Sequence, residues 1–219
     1  MKVLTVNVAV PRPNPAKSLP MTGIHKLPVD HPVEVRAPGP KQTGLHSGLV
    51  GDSIGDVRHH GGNDQAVYAY AREDYDWWEV ELGRALPGGL FGENLTTAGL
   101  DVNGALIGEV WRIGAELELQ PTFGRIPCAT FQARMAEPRW TKRFAQVNRT
   151  GAYLRVVTPG QVRAGDPVEI VHRPARSVSI AEAFHVYMFE PSSLARLLDA
   201  EALPAELRVE VEDRLTRAG

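Results

Sequence analysis

The stretch KVLTVNVAV (residues 2–10) sets Val3, Thr5, Asn7 and Ala9 against Leu4, Val6, Val8 and Val10. A period of two is that of a strand, and the second set forms its apolar face. Pro11, Pro13 and Pro15 stop it, because proline has no N–H to give to a ladder. Six further segments share this texture: HPVEVRA (31–37), QAVYAYA (65–71), EVWRIG (109–114), AELELQP (115–121), GAYLRVVTPG (151–160) and PVEIVH (167–172). Each is short and bounded by Gly, Pro or Asp. With 21 glycines and 17 prolines joining them, the chain reads as mainly β, a barrel or a sandwich.

IGEVWRIG (107–114) and AGDPVEIV (164–171) both read glycine, acid, then alternating apolar residues. The echo predicts two strands that enter one sheet through similar turns. A helix is expected over REDYDWWEVEL (72–82), where Tyr75, Trp78 and Leu82 form one stripe and acids lead the first turn. RWTKRFAQV (139–147) is a second helical candidate. After residue 175 the texture changes. Ser179 and Glu182 form a capping box before SIAEAFHVYMF, and SSLARLLDA and PAELRVEVEDRLTRA follow, the last with Leu207, Val211 and Leu215 in a row. Three short helices over residues 176–219 are expected to form a small subdomain, whose surplus apolar face could pair two subunits as a homodimer.

A chain of 219 residues, 43% hydrophobic, can bury one sizeable core without disulfides, and its single cysteine cannot bridge to another. No apolar run approaches the roughly 20 residues that span a bilayer, and no charged-then-apolar leader is present, so a cytoplasmic location without membrane contact is expected. A formal charge of −2 gives no case for a nucleic acid polymer as partner.

Candidate chemistry concentrates in a few stretches. In GLVGDSIGDVRHHGGNDQAVYAY (48–70), His59 and His60 with Asp52, Asp56 and Asp64 suggest a metal site, although adjacent histidines on an extended chain point to opposite faces. Gly61 and Gly62 offer backbone N–H groups that can cradle an anion, or form an ordinary loop. LFGENLTTAGL (90–100) reads as a loop whose Asn94 can face a heterocycle or hold backbone, and Thr96 and Thr97 can do either. Cys128, in GRIPCATF (124–131), is either a small buried hydrophobe or a nucleophile favoured by Arg125 and stiffened by Pro127. Any of His25, His46, His59, His60, His172 and His185 could partner it, and nothing local selects one.

Taken in order, TGIHKLPV (22–29), residues 48–70, FGENLTTAGL (91–100), IGEVWRIGAELELQ (107–120), RIPCATF (125–131) and VRAGDPVEIVHRP (162–174) resemble the MOSC family, the domain named for the molybdenum cofactor sulfurase C-terminus. The tail resembles the three-helix extension of its YiiM-like bacterial branch of 6-N-hydroxylaminopurine reductases. The resemblance implies a β-barrel with a few helices over residues 1–175 and a molybdopterin-type molybdenum cofactor, with Cys128 as metal ligand and catalytic centre. It places His60, Gly61 and Gly62 near the cofactor, Asn94 against the pterin, Arg125 on the phosphate or the thiolate, and Thr22 and Lys26 in the anion site. The implied reaction reduces a small N-hydroxylated substrate to the amine with electrons from a separate flavoprotein or similar reductase, since no nucleotide fingerprint or cysteine cluster is present. Two alternatives use the same thiol, a carrier of the cofactor or of a persulfide and a Cys-His hydrolase or transferase, and a further one leaves Cys128 as inert packing. Two positions depart from the family: Gln65 where lysine is common, and Gly124 where proline usually precedes the arginine, so that the strand leading to the site is expected to end differently.

Overall fold

The computed structural model describes residues 1–16 and 18–218. Among them the chain forms β1 (Lys2–Ala9), β2 (Arg12–Pro13), β3 (Met21–Thr22), β4 (Lys26–Val29), β5 (Val33–Val35) and β6 (Val67–Ala71), then helix α1 (Arg72–Leu82). β7 (Leu95–Ala98), β8 (Val110–Ile113) and β9 (Leu117–Gly124) lead to α2 (Ala129–Met135) and α3 (Trp140–Val147). β10 (Ala152–Thr158), β11 (Gly160–Val162) and β12 (Val168–His172) precede α4 (Ile180–Phe189), a 3-10 stretch Pro191–Asp199 and α5 (Ala205–Ala218).

Eight strands make one mixed sheet in the order β12-β8-β9-β10-β6-β7-β1-β4. β6 and β7 run parallel, and the other neighbours are antiparallel. The strand-rich expectation holds, but the expected closed barrel does not form, since β12 and β4 end the sheet. The sheet curls until residues 165–168 meet the first residues of the chain, with Val3 N–H donating to Asp166 O (2.9 Å) and Val168 N–H to Met1 O (3.0 Å). β4 occupies the outer edge of β1 over Val6–Ala9, so that contact falls on Met1, Lys2 and Val3. The echoed segments pair with each other as β8 and β12, and their turns match: Gly108 and Gly165 have φ of 93° and 94°.

A bulge in β1 changes the face expected from its alternation. The β1–β7 register shifts between Val3 and Thr5, so Val3 and Val6 both enter the main core. Thr5 and Asn7 instead meet Thr96 on β7. Residues 95–98 are thus a strand and not the loop the sequence suggested, with Thr96 fully engaged in hydrogen bonds on the sheet.

α1 spans the expected residues, and buries Tyr75 and Trp78. Together with α2 and α3 it packs a second, aromatic cluster of Tyr70, Tyr75, Trp78, Phe91, Phe131, Trp140 and Phe144. In the tail, Ser179 Oγ accepts from Glu182 N–H (3.1 Å), while the Glu182 carboxylate turns away to Arg196. The middle helix expected there is a 3-10 stretch. Phe184 of α4 packs beside Gly124, where a Cβ would lie 3.3 Å from it and 2.5 Å from Thr150 Oγ1. Gly124 therefore ends β9 in a gap that a larger residue would close. Gly23 is under a similar constraint, since a Cβ there would lie 2.0 Å from the Ser53 carbonyl oxygen. Gly23→Ala is expected to cost about 1–3 kcal/mol in urea denaturation. A change within about 0.5 kcal/mol would show that the two loops can part freely.

Candidate functional site

Two adjoining cavities lie beside the end of β9. The smaller, about 100 Å³, is lined by Thr22, Lys26, His60, Gly61, Asn94 and Arg125 among others. The larger, about 820 Å³, is lined by His60, Gly61, Gly62 and Cys128, and on its far side by Tyr187, Pro204, Leu207 and Glu210 of the tail. His60, Gly61, Gln65 and Tyr153 border both. Eight candidate residues scattered between positions 22 and 128 are thus brought to one place.

Cys128 is half-buried, directly before α2. Burial pushes its thiol up, but hydrogen bonding from His60, the charge of Arg125 and the Phe131 N–H outweigh this and hold it at about 6. Of the histidines left open by the sequence, the fold selects His60. Arg125 is itself buried, with its guanidinium 4.3 Å from the Phe131 ring centroid and 5.1 Å from that of Tyr68, and its Nη1 donates to the Phe91 carbonyl. Burial disfavours its charge, yet the neighbouring Tyr153, Tyr68 and Cys128 raise it above the ordinary arginine value, so Arg125 keeps its proton. The arginine is a fixed cation. In metal-free protein, Cys128 is therefore expected to alkylate with iodoacetamide at a rate that is half-maximal near pH 6. Because the thiolate is the reacting form, the rate falls below that pH, and a midpoint at the ordinary thiol value of about 8.5 would disprove the arrangement.

The polar floor of the smaller cavity is tied together by Asp52. Its Oδ1 accepts from Lys26 Nζ (2.5 Å) and Ala9 N–H (2.8 Å), and its Oδ2 from Ser47 Oγ (2.7 Å) and Asn94 Nδ2 (2.9 Å). Burial lowers the Lys26 ammonium, against the pull of Asp52. Burial works to raise Asp52, but Lys26, Ser47 and Asn94 bring it below its ordinary value. Asn94 Oδ1 accepts from Tyr68 N–H (3.1 Å), so its amide holds the scaffold of the cavity. Gly62 gives its N–H to the His46 carbonyl (3.0 Å), which leaves Gly61 as the glycine suited to an anion. The histidine and aspartate metal set does not assemble: Asp52 binds Lys26, Asp64 binds Arg155, and among the described residues no three His, Cys, Asp or Glu gather to hold an ion.

Sequence reasoning passed over α2, Tyr153 and the tail's share of the larger cavity. Cysteine is not among the usual residues preceding a helix, so ATFQARM carried no start signal. The tail's contribution begins only at Tyr187, distant in sequence from Cys128, and had no local sign.

A mixed sheet with two adjoining cavities, a buried arginine and a half-buried cysteine at the end of one strand defines a β-rich protein with a candidate site at its single thiol. The chain belongs to the MOSC domain family, whose pattern matches residues 56–169. It is 31% identical over 162 residues to Protein YiiM of Escherichia coli, covering 71% of each chain. It is 29% identical over 161 residues to a protein of Gibberella moniliformis named Reductase, covering 72% of this chain and 28% of that one. The crystal structure of YiiM from Geobacillus stearothermophilus superposes with a TM-score of 0.78 at 28% identity, covering 98% of each chain. The family named by motif order is thus the family found. Among the described residues no helix is long and apolar enough to cross a membrane.

Proposed function

We propose that the protein binds a molybdopterin-type molybdenum cofactor and reduces small N-hydroxylated compounds, such as N-hydroxylated purine bases, with electrons from a separate flavoprotein or similar reductase. The observation that carries this reading is the position of Cys128, the only thiol of the chain, on the wall of a roomy cavity beside His60 and Arg125. A reductase among the relatives supports it.

The residues fit such a group. A soft thiolate suits molybdenum, Arg125 has a buried Nε without a partner, and Lys26 and Gly61 border the same small cavity. Cys128 would hold the metal, and Arg125, Gly61, Lys26 and Thr22 the anionic part. When bound, the cofactor supplies a two-electron couple with an open position for oxygen. The reaction balances as R–NHOH + 2e⁻ + 2H⁺ → R–NH2 + H2O. His60, bordering both cavities, passes a proton to the departing oxygen, while Tyr68 and Tyr153, raised by burial, stay neutral beside it. The tail lines the far side of the larger cavity with Tyr187, Pro204 and Leu207.

Metal and pterin analysis of protein made in a cofactor-producing host tests the reading. Close to one molybdenum per chain and reduction of 6-N-hydroxylaminopurine with an artificial electron donor are the expected results. Molybdenum-free protein with labile sulfur on Cys128 would overturn it in favour of a persulfide carrier.

A further inference from the structure

The polar groups that floor the smaller cavity are almost all paired with one another, as the Asp52 network shows. Gln65 is different. Its side-chain Oε1 is buried and without a partner among the described residues, although the residue borders both cavities. Nor is the side chain carried on a loose segment. Gln65 closes the 3-10 turn Asn63–Gln65 and donates its N–H to Gly62 O (3.1 Å), and the turn is fastened from two sides. Asp64 Oδ1 accepts from Arg155 Nε (2.9 Å), and the Asp64 carbonyl accepts from Thr122 Oγ1 (2.7 Å). A rigid turn therefore holds an unused acceptor at the boundary between the cavities. Arg125 Nε, likewise buried and unpartnered, provides an unused donor in the lining of the smaller one. Buried polar atoms in native proteins are rarely left unmatched without a use.

Resting on the reading of the site as a reductase centre, we infer that Gln65 determines specificity by accepting a hydrogen bond from an N–H of a planar nitrogen heterocycle. Arg125 Nε is left to the anionic part of the cofactor. An exocyclic amino or hydroxylamino group beside a ring nitrogen or carbonyl has this chemistry. Both the pterin of a cofactor and a purine-type substrate carry it, and Gln65 is positioned to meet either.

The test measures binding to the full chain purified from a host that makes no molybdenum cofactor, by calorimetry and by ligand-dependent melting. One arm uses 6-N-hydroxylaminopurine and the other uses pterin. Gln65→Leu keeps the volume and removes the acceptor, and should weaken binding about five- to tenfold, the worth of one hydrogen bond. A loss confined to pterin assigns the contact to the cofactor, and a loss confined to the purine assigns it to the substrate. Gln65→Glu keeps an acceptor and should restore affinity to within about twofold. The ligand-free melting temperature of Gln65→Leu should be unchanged or higher, since an orphaned polar atom has been replaced by an apolar one. Unweakened binding of both ligands, wild-type protein that binds neither, or a lowered ligand-free melting temperature would overturn the assignment. Because no turnover or metal is involved, failure of the reductase assay leaves these readouts intact, and their failure leaves reduction of other N-hydroxylated substrates open.

Discussion

Cys128→Ala is expected to give folded protein that retains no molybdenum and whose reductase activity is down by at least about a thousandfold, as when the central group of a catalytic unit is removed. The fold should survive because Cys128 is only half-buried and stands before α2 on extended backbone that alanine also adopts. Metal analysis and turnover are read on the same sample, with circular dichroism confirming the fold. Cys128→Ser separates shape from chemistry, since its hydroxyl has similar size but is a hard, protonated ligand. It should fail like alanine. A Cys128→Ala protein that keeps both metal and activity would remove the thiolate from the mechanism.

The second large effect lies away from the sulfur. Phe91 is fully buried, with ring centroids of Tyr75, Tyr70, Phe131 and Trp140 at 4.5, 4.9, 5.2 and 5.6 Å. Its backbone also serves the site: the N–H donates to Tyr75 Oη (2.8 Å) and the carbonyl accepts from Arg125. Phe91→Ala should cost about 3–5 kcal/mol in chemical denaturation, since the rings around it cannot collapse into the space. That loss corresponds to a fall of roughly 10 °C in Tm for a chain of this length. Arg125 should loosen with it, so the alkylation midpoint of Cys128 should rise above the value near 6 of the intact protein. A loss below about 1 kcal/mol would mean that the aromatic cluster repacks and is not a rigid support for the arginine.

The fold and the site were legible in the sequence to different depths. β8 and β12 could be placed in one sheet from sequence because glycine and acid mark both turns, and the capping residues Ser179 and Glu182 marked α4. The face of β1 could not, because the bulge after Val3 is set by pairing with Thr96 and Thr97, which lie more than 90 residues on. β7 was hidden for the same reason. Its threonines look like loop residues until Thr5, Asn7 and Glu93 are placed around Thr96. At the site, the eight residues singled out by motif order line the two adjoining cavities, and local physics alone would have left Cys128 beside any of six histidines. What the residues do within the site required partners. Asn94 stays open between ligand and backbone until Asp52 and Tyr68 are seen to engage its amide, and Gln65 reads as a lost lysine until its unpaired acceptor is seen.

The order of strands across the sheet also has a kinetic meaning. β1 is synthesised well before its neighbour β7, which is completed only at residue 98, and β6 joins β7 in parallel through the intervening α1. β1 can pair early with β4, but its other edge must wait for β7, and the 165–168 segment that meets Met1 and Val3 arrives later still. Chains whose contacts are this far apart in sequence fold on the millisecond-to-second scale. During synthesis, Cys128 emerges before β10, α4 and α5 exist to enclose the cavity, so the thiol is open to solvent while the site is being assembled.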